Sequence, residues 1–261
     1  MNSNPVNTQN NNNHRQDLDL SIIIPVKNEA ENVNLLRNEI DSVLQTLPYS
    51  WECIWIDDGS TDPSPIEIQR FNREDDHHQY VLLSQNYGQS AALYTGFCHA
   101  RGQLLATMDG DGQNDPHDIP SLVAYLRANG CDLVNGVRRN RRDSFIRKIS
   151  SRIANGFRNW LTRENITDVG CSLRVFRYEC VKRITPFKGF HRFLPTLIRI
   201  RGFSNIAEVP VNHRPRMRGQ TSYGIQNRLW VGIVDSFAVR WMQKRVVSAE
   251  VKSKSPSLWD T

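Results

Sequence analysis

The sequence predicts an α/β fold in which a mostly parallel sheet carries helices on both faces. In the first half of the chain, short apolar runs alternate with segments whose apolar residues recur at helical spacing. Several of these apolar runs end directly at acidic or polar residues. Because a βαβα order places strands in parallel and helices on the sheet faces, ligands are expected beyond the carboxyl ends of the strands.

The elements of the first half follow from this alternation. Apolar runs predict strands at 20–25, 51–56, 80–83, 104–108 and 132–136. Helical spacing predicts helices at 29–47, 65–73 and 90–101. A further helix is predicted to begin at Pro116, with Asp115 as its N-cap, because proline is favoured at the first helical position.

The second half is less regular. It predicts helices at 144–161 and 193–200, and strands at 172–176 and 206–211. Residues 223–245 predict an amphipathic C-terminal helix, whose apolar run is interrupted by Asp235 and is shorter than the ~20 residues needed to span a bilayer. Such a helix either lies in a membrane interface, docks on a partner helix, or covers the core.

The chain ends outside this domain are polar. Residues 1–17 contain seven Asn and almost nothing apolar, which predicts a disordered tail rather than a signal peptide. Residues 18–222 are expected to form the main domain, 223–245 the amphipathic helix, and 246–261 a polar tail. The five cysteines are widely spaced and form no CxxC, so a reducing cytoplasm is expected and a zinc or disulfide framework is not.

Charge is distributed unevenly along the chain, whose net charge is +6. Basic residues cluster at 138–148 and 214–218, whereas acidic residues cluster at 57–62 and 109–118. An acidic site facing basic loops suits a metal-bound polyanion or an anionic membrane, although each charged run is also compatible with a solvated face.

The segment from Asp109 to Gln113 predicts a metal site. Asp109 and Asp111 are two residues apart after a strand and can face one cation, to which Gln113 adds a neutral oxygen. Hard oxygen ligands select Mg²⁺ or Mn²⁺. An ordinary acidic turn is the alternative, while an EF-hand loop is excluded because its twelfth position is Pro120 instead of Glu.

The segment from Asp57 to Asp62 follows another strand and predicts a nucleotide site. Its carboxylates can accept hydrogen bonds from a base edge or a ribose, and Gly59 permits a tight turn. The alternative is a turn that caps the next helix. Arg138 and Arg216 lie where they could reach the cleft, and guanidinium groups bind phosphate bidentately.

With these motifs in order, the sequence resembles family 2 glycosyltransferases of the GT-A (Rossmann-like) fold. Its nearest group is the dolichol-phosphate mannose synthase-like enzymes, including bacterial enzymes that use undecaprenyl phosphate. The resemblance covers about 20–245. Its motifs are Ser21-Ile-Ile-Ile-Pro-Val-Lys-Asn-Glu29, Ile56-Asp-Asp-Gly-Ser-Thr-Asp62, Asn86-Tyr-Gly88, Met108-Asp-Gly-Asp-Gly-Gln113, Gly136-Val-Arg138, Asp168-Val-Gly-Cys-Ser-Leu-Arg174 and Arg216-Met-Arg-Gly-Gln-Thr-Ser-Tyr223.

The resemblance implies roles for individual residues. The nucleotide pocket would include Pro25, Glu29, Asp57 and Asp58, and the metal would be held by Asp109, Asp111 and Gln113. The phosphate-binding arginines would be Arg138, Arg147 and Arg216, with Asp168 and Arg174 near the acceptor; Asp111 and Asp168 are the catalytic candidates. The chain departs from the family pattern where Thr221 and Ser222 replace the usual Ser and Lys, so a cation is lost.

The implied activity is inverting transfer of a sugar from a nucleotide-diphosphate sugar to a polyprenyl phosphate, dependent on Mg²⁺ or Mn²⁺. The enzyme is expected to lie peripherally on the cytoplasmic face of an anionic membrane. The alternative is a soluble family 2 transferase that glycosylates a polysaccharide or protein hydroxyl. Nucleic acid is not expected as a partner, because the acidic strand ends repel phosphates. Sugar, nucleotide, lipid and oligomeric state stay open.

Overall fold

The computed structural model describes residues 18–138, 155–215 and 226–247. The predicted tail at 1–17 lies outside the described residues, and so does the predicted tail at 246–261 from residue 248 onward. Within these ranges the chain forms seven strands, which are β1 (Leu18–Val26), β2 (Trp51–Asp57), β3 (His78–Leu82), β4 (Gly102–Thr107), β5 (Leu133–Arg138), β6 (Arg174–Arg177) and β7 (Ile206–Val211).

All seven strands belong to one sheet, in the order β3-β2-β1-β4-β6-β5-β7. The prediction of a mostly parallel sheet is confirmed, since only β6 runs antiparallel to its neighbours β4 and β5. The reversal of β6 was not predicted. It means that β6 begins at the edge of the sheet where the parallel strands end, so Arg174 enters the same edge as the acidic turns.

The helices agree with the sequence prediction to within a few residues. They are α1 (Ala30–Leu44), α2 (Ser64–Glu74), α3 (Gln89–His99), α4 (Ile119–Asn129), α5 (155–162), α6 (Leu194–Ile200) and α7 (Gln226–Lys244). The predicted helix at 116 begins as a 3₁₀ turn, Pro116–Asp118, whose N-cap is Asp115 as expected: its side chain accepts a hydrogen bond from the His117 amide. The predicted starts of α5 and α7 lie outside the described residues.

The core has one layer on each face of the sheet. Alternation along β1 sends Ile22 and Ile24 into the layer covered by α1, α2 and α4, while Ile23 enters the layer covered by α3 and α6. Full burial of each such side chain contributes about 1.5–3 kcal/mol. Gly96 lets α3 pack closely on β1, because a Cβ there would lie 2.3 Å from the Ile23 side chain.

The C-terminal helix α7 is amphipathic and packs on the α3 and α6 side of the sheet. Val239 is buried in that core layer, and the Gln243 amide donates to the carbonyl of Thr162 at 2.9 Å. Asp235, which interrupts the apolar run in the sequence, pairs with Arg192 of the domain at 3.6 Å. Among the described helices, α7 included, none combines the length and apolar character required to cross a bilayer.

Candidate functional site

The two acidic turns meet at the carboxyl edge of the sheet, on either side of the end of β1. Val26 is paired in register with Asp57 of β2, and the Asp58 amide donates to the Val26 carbonyl at 2.9 Å. On the other side, the Gly110 amide donates to the Pro25 carbonyl at 3.3 Å. The structure therefore brings the predicted nucleotide turn and the predicted metal turn to the same edge of the sheet, with Pro25 between them; the space beside these two turns is called the cleft.

Asp57 carries an unused acceptor. The residue is 2% exposed, and its Oδ2 accepts a hydrogen bond from the Ser60 amide at 2.9 Å. Within the described part of the chain, no donor reaches its Oδ1. Since a buried carboxylate oxygen without a donor is costly, the turn is suited to a ligand that presents an N–H or O–H group.

Asp58, in contrast, uses both carboxylate oxygens inside the protein. They accept hydrogen bonds from the backbone amides of Tyr87 and Gly88 at 2.7 and 2.8 Å. Burial raises the pKa of Asp58, and these two hydrogen bonds partly oppose that shift. Asp58 therefore holds the segment before α3 in place next to the cleft.

The first loop of the cleft is held against the second turn. The Glu29 amide donates to the Ser64 hydroxyl at 2.9 Å, and the Glu29 carboxylate accepts from the Asn32 amide group at 2.6 Å. Asn28 has a positive φ of 56° and its side-chain oxygen accepts from the Thr61 amide at 2.8 Å. The loop that carries Glu29, which is 8% exposed, is thus held against the segment that follows Asp57.

The turn from Asp109 to Gln113 concentrates negative charge. The Asp111 carboxylate accepts a hydrogen bond from the Gln113 amide at 3.1 Å, and the Asp109 amide donates to the Asn114 side chain at 3.1 Å. Burial, and then the neighbouring Asp111 carboxylate, raises the pKa of Asp109 to about 6. Two carboxylates that resist joint ionisation form a site that favours a cation.

The donor set fits Mg²⁺ or Mn²⁺. Asp109 and Asp111 supply hard oxygen ligands, and both residues are partly exposed. The side-chain nitrogen of Gln113 donates to the Arg214 carbonyl at 3.3 Å, so its amide oxygen is the atom that remains for a metal. Asp41, Asp75 and His78 form a further group whose side chains lie close enough to hold a metal. No metal is assigned to it, because both ring nitrogens of His78 already bond to Trp55 and Asp41.

Arg138 and Asp168 bind each other. The Arg138 Nε and Nη2 atoms donate to the two Asp168 carboxylate oxygens at 2.7 and 2.8 Å, a bidentate geometry in which both side chains are mostly buried. Glu208 supports this pair by accepting hydrogen bonds from the backbone amides of Thr167 and Asp168. The predicted phosphate-binding and catalytic roles of the pair remain predictions.

Arg174 acts as a brace at the start of β6. It is 4% exposed, and its three guanidinium nitrogens donate at 2.7 Å to the Asn135 side chain and to the carbonyls of His191 and Val169. Burial lowers the pKa of Arg174. Arg174 therefore joins β5, β6 and the segment before α6.

Arg214 fixes the base of the late basic segment. Its guanidinium contacts the Glu39 carboxylate at 2.7 Å and the Asp115 carboxylate at 2.9 Å, and its amide donates to the Gln113 carbonyl at 2.8 Å. The metal turn and this segment are therefore joined. Arg147 and Arg216 lie outside the described residues, as do Thr221 and Ser222.

Three polar residues of the site were missed in the sequence. Gln89 donates from its side-chain nitrogen to Asp109 Oδ1 at 2.8 Å, and Asn114 accepts from the Ser172 hydroxyl at 2.8 Å. Gln89 directly follows the Asn86-Tyr-Gly88 motif, which was the available signal. Asn114 and Ser172 are far apart in the chain, so their contact depends on the reversed strand β6.

Comparison with known proteins agrees with this geometry. The family model "Glycosyl transferase family 2" matches residues 21–185. The chain is 38% identical over 232 residues to a dodecaprenyl-phosphate galacturonate synthase of Rhizobium johnstonii, covering 88% of this chain and 68% of that protein. It is 37% identical to an undecaprenyl-phosphate 4-deoxy-4-formamido-L-arabinose transferase of Shewanella sediminis, covering 82% of this chain and 65% of that protein. The chain thus spans about two thirds of the length of these relatives.

Among solved structures, glucosyl-3-phosphoglycerate synthase from Mycobacterium tuberculosis is similar in fold. The TM-score is 0.65 at 18% sequence identity, covering 89% of this chain and 82% of that chain. That protein is a GT-A glycosyltransferase, so the predicted fold class is confirmed.

Proposed function

Because the chain belongs to glycosyltransferase family 2, we propose that it transfers a sugar from a nucleotide-diphosphate sugar to a polyprenyl phosphate, inverting the anomeric carbon. The observation that carries the proposal is the convergence of the Asp57 and Asp109 turns on one cleft. The polyprenyl-phosphate acceptor follows the two relatives described above, whose names both specify such a lipid.

Asp57 is the group that binds the nucleotide. Its buried Oδ1 lacks a described donor and needs one, which a base N–H or a ribose hydroxyl provides. Asp58 supports the same wall of the cleft through Tyr87 and Gly88. Glu29 and Pro25 complete this side.

Asp109, Asp111 and Gln113 hold Mg²⁺ or Mn²⁺. The related solved enzyme is described with Mn²⁺ and uridine diphosphate, and also with Mg²⁺. A divalent cation bound there supplies positive charge to the diphosphate of the leaving nucleotide. Arg138 lies on the opposite wall from Asp57, and Arg147 and Arg216 are proposed to add further charge to the phosphates.

The acceptor needs little activation. A phosphate monoester has a second pKa of ~6, so the lipid phosphate is already anionic at neutral pH. It attacks the anomeric carbon from the face opposite the diphosphate, whose bond to the sugar breaks. Asp168 is paired with Arg138 at 2.7 Å, which favours an orienting role over proton removal. A hydroxyl acceptor, as in the alternative, would require a general base.

The membrane side is proposed to be an apolar patch on α5 and α7. Trp160, Phe237 and Trp241 are 75%, 55% and 61% exposed, and the Phe157 ring lies 6.1 Å from Trp160 and 6.2 Å from Phe237. Exposed tryptophans beside cations are typical of helices that lie in a lipid interface.

Cations border this patch. Arg163, Lys244 and Arg245 are exposed, and the Arg245 guanidinium lies 5.8 Å from the centre of the Trp241 ring. Their charge complements anionic lipid headgroups. We therefore propose that the protein binds peripherally to the cytoplasmic face of a membrane, next to its lipid acceptor.

The transfer proposal is tested with a panel of sugar nucleotides and polyprenyl phosphate, assayed with and without Mn²⁺ or Mg²⁺. At least one donor is expected to give a glycosylated lipid only when the cation is present. The Asp111→Ala variant is expected to lose on the order of 100-fold or more in rate while keeping its fold. Transfer to a polysaccharide or protein hydroxyl, with none to the lipid, would support the alternative acceptor.

The membrane proposal is tested by flotation with anionic vesicles. Replacing Phe237 and Trp241 together by Ala is expected to reduce bound protein about tenfold or more, because each aromatic side chain buries apolar area in the interface. Tyr125→Ala is the matched control, since Tyr125 is 41% exposed on α4 at the opposite face of the sheet. Equal binding of both variants would contradict the assignment of the patch.

A further inference from the structure

We propose that Gln89 is a positioning residue that orients Asp109 toward the divalent cation and thereby sets the affinity of the site for that cation. The proposal rests on the metal site proposed above. It adds a residue from α3 to a site that the sequence motifs assign to the loop after β4.

The contact is direct. The Gln89 side-chain nitrogen donates to Asp109 Oδ1 at 2.8 Å, and the Asp109 backbone amide donates to the Asn114 side chain at 3.1 Å. The Asp111 carboxylate repels that of Asp109, which favours side-chain rotation of Asp109 away from a shared cation. A hydrogen bond from a fixed donor opposes this rotation, as outer partners of metal ligands do.

Gln89 is suited to this task because its donor is neutral. A lysine or arginine at the same distance would form an ion pair with Asp109 and compete with the cation for the carboxylate. The carboxamide orients Asp109 and leaves its negative charge for the metal.

The backbone on both sides of Gln89 is held. The amides of Tyr87 and Gly88 donate to Asp58, and Gly88 has a φ of 93°, which favours glycine. On the other side, the Ser90 hydroxyl accepts from the Gly189 amide at 2.8 Å and contacts the His191 ring at 2.9 Å. Gln89 therefore projects from a fixed point at the start of α3, as a positioning residue requires.

The experiment is a titration of the full chain with Mn²⁺ alone, followed by electron paramagnetic resonance of the free ion. Gln89→Met keeps the length of the side chain and removes its donor, and Gln89→Ala is a second variant that is well tolerated in a helix. Both are expected to raise the Kd for Mn²⁺ about 10- to 100-fold. Gln79→Met is the control, because Gln79 donates to the Asp76 carbonyl at the start of β3, at the other edge of the sheet.

A second measurement distinguishes a positioning role of Gln89 from a general loss of structure in the variants. In the transfer assay, the Mn²⁺ concentration for half-maximal rate is expected to rise with the Kd, while kcat at saturating Mn²⁺ stays within about threefold. A Kd within about twofold of that of the unmodified chain for both variants overturns the role of Gln89. If Asp111→Ala binds Mn²⁺ as well as the unmodified chain, the proposed metal site itself is wrong, and the role of Gln89 with it.

Discussion

Asp57 and Asp168 are both buried carboxylates at the carboxyl edge of the sheet, yet their surroundings differ. Asp57 is 2% exposed and has an oxygen that no described donor reaches. Asp168 is 7% exposed, and both of its oxygens are bound by Arg138. The first carboxylate lies in the turn after β2, and the second in the segment before β6.

The difference extends to the residues around each carboxylate. On the β1, β2 and β4 side, Asp109 and Asp111 repel each other, and no described cation pairs with them in an ion pair. On the β5 and β6 side, Arg138 and Arg174 bond to acceptors of the protein itself. The wall that carries Asp109 and Asp111 therefore offers negative charge to ligands. The arginines of the other wall, Arg138 and Arg174, mainly bind groups of the protein itself. The four predictions below test this contrast.

The largest effect is expected for Asp168→Ala. Removing one partner of a buried ion pair leaves Arg138 without its carboxylate, which costs about 3–5 kcal/mol of unfolding free energy. Urea denaturation measures this loss. A double variant in which Leu replaces both Arg138 and Asp168 is expected to recover part of it, and a loss below about 1 kcal/mol in the single variant would show that the pair is not structural.

The second prediction concerns Asp57→Asn, which keeps the shape of the side chain and removes its charge. Loss of a charged acceptor for the nucleotide is expected to lower kcat/KM for the donor about 10- to 100-fold. The unfolding free energy is expected to change by less than about 1 kcal/mol, because no described donor binds Oδ1. Steady-state kinetics and urea denaturation test both parts; a large stability loss with unchanged kinetics would reverse the contrast with Asp168.

The third prediction is a pH dependence. Because the pKa of Asp109 is about 6 in the folded chain and its ordinary value is 3.8, the unfolded chain loses this proton at lower pH than the folded chain does. Ionisation therefore lowers stability as pH rises from about 4 to about 6. Asp109→Asn is expected to be more stable than the unmodified chain by on the order of 2 kcal/mol at pH 7 without metal.

That difference is expected to disappear below about pH 4, where both states of the unmodified chain hold the proton. Thermal unfolding in a chelator, measured at several pH values, tests this. An Asn variant that is less stable at every pH would indicate that the hydrogen bonds of Asp109, and not its charge, dominate its contribution.

The smallest effect is expected for Arg214→Ala. Arg214 is about one third exposed, so loss of its ion pairs with Glu39 and Asp115 is expected to cost only about 1 kcal/mol. The donor KM is expected to rise a few-fold, about 2- to 5-fold, because the base of the basic segment moves relative to the metal turn. Glu39→Gln keeps the Asp115 contact and serves as the milder comparison. Equal donor KM values for the unmodified chain and both variants would show that Arg214 does not affect donor binding.

The sequence predicted one wall of the cleft better than the other. Strand ends followed by Asp57 or Asp109 are local patterns, and parallel strands bring such ends to one edge, so their convergence could be predicted. The use of Arg138 and Arg174 could not, because arginines that bind a ligand and arginines that bind the protein look the same in a sequence. The distinction depends on tertiary contacts that the sequence does not reveal, such as that of Arg138 with Asp168, 30 positions away.

Gln89 and Asp58 illustrate the same limit. The resemblance placed Asp58 near the nucleotide, which stays a prediction, but it gave no sign that the Asp58 oxygens bind the backbone amides of Tyr87 and Gly88. Gln89 adjoins the Asn86-Tyr-Gly88 motif, but its contact with Asp109 depends on how α3 packs on β1 through Gly96. Tertiary packing decides these roles, and no local pattern encodes them.

The reversed strand β6 has a consequence for the order in which the protein is assembled during synthesis. As the chain leaves the ribosome, β1 to β4 are made first, and they are neighbours in the sheet. The wall of the cleft that carries Asp57 and Asp109 is therefore able to form early. β5 emerges before both strands that flank it, since β6 and β7 come later in the chain. Its buried residues Leu133 and Val134 therefore have no neighbouring strand until residue 177 is made, and only one until residue 211 is made.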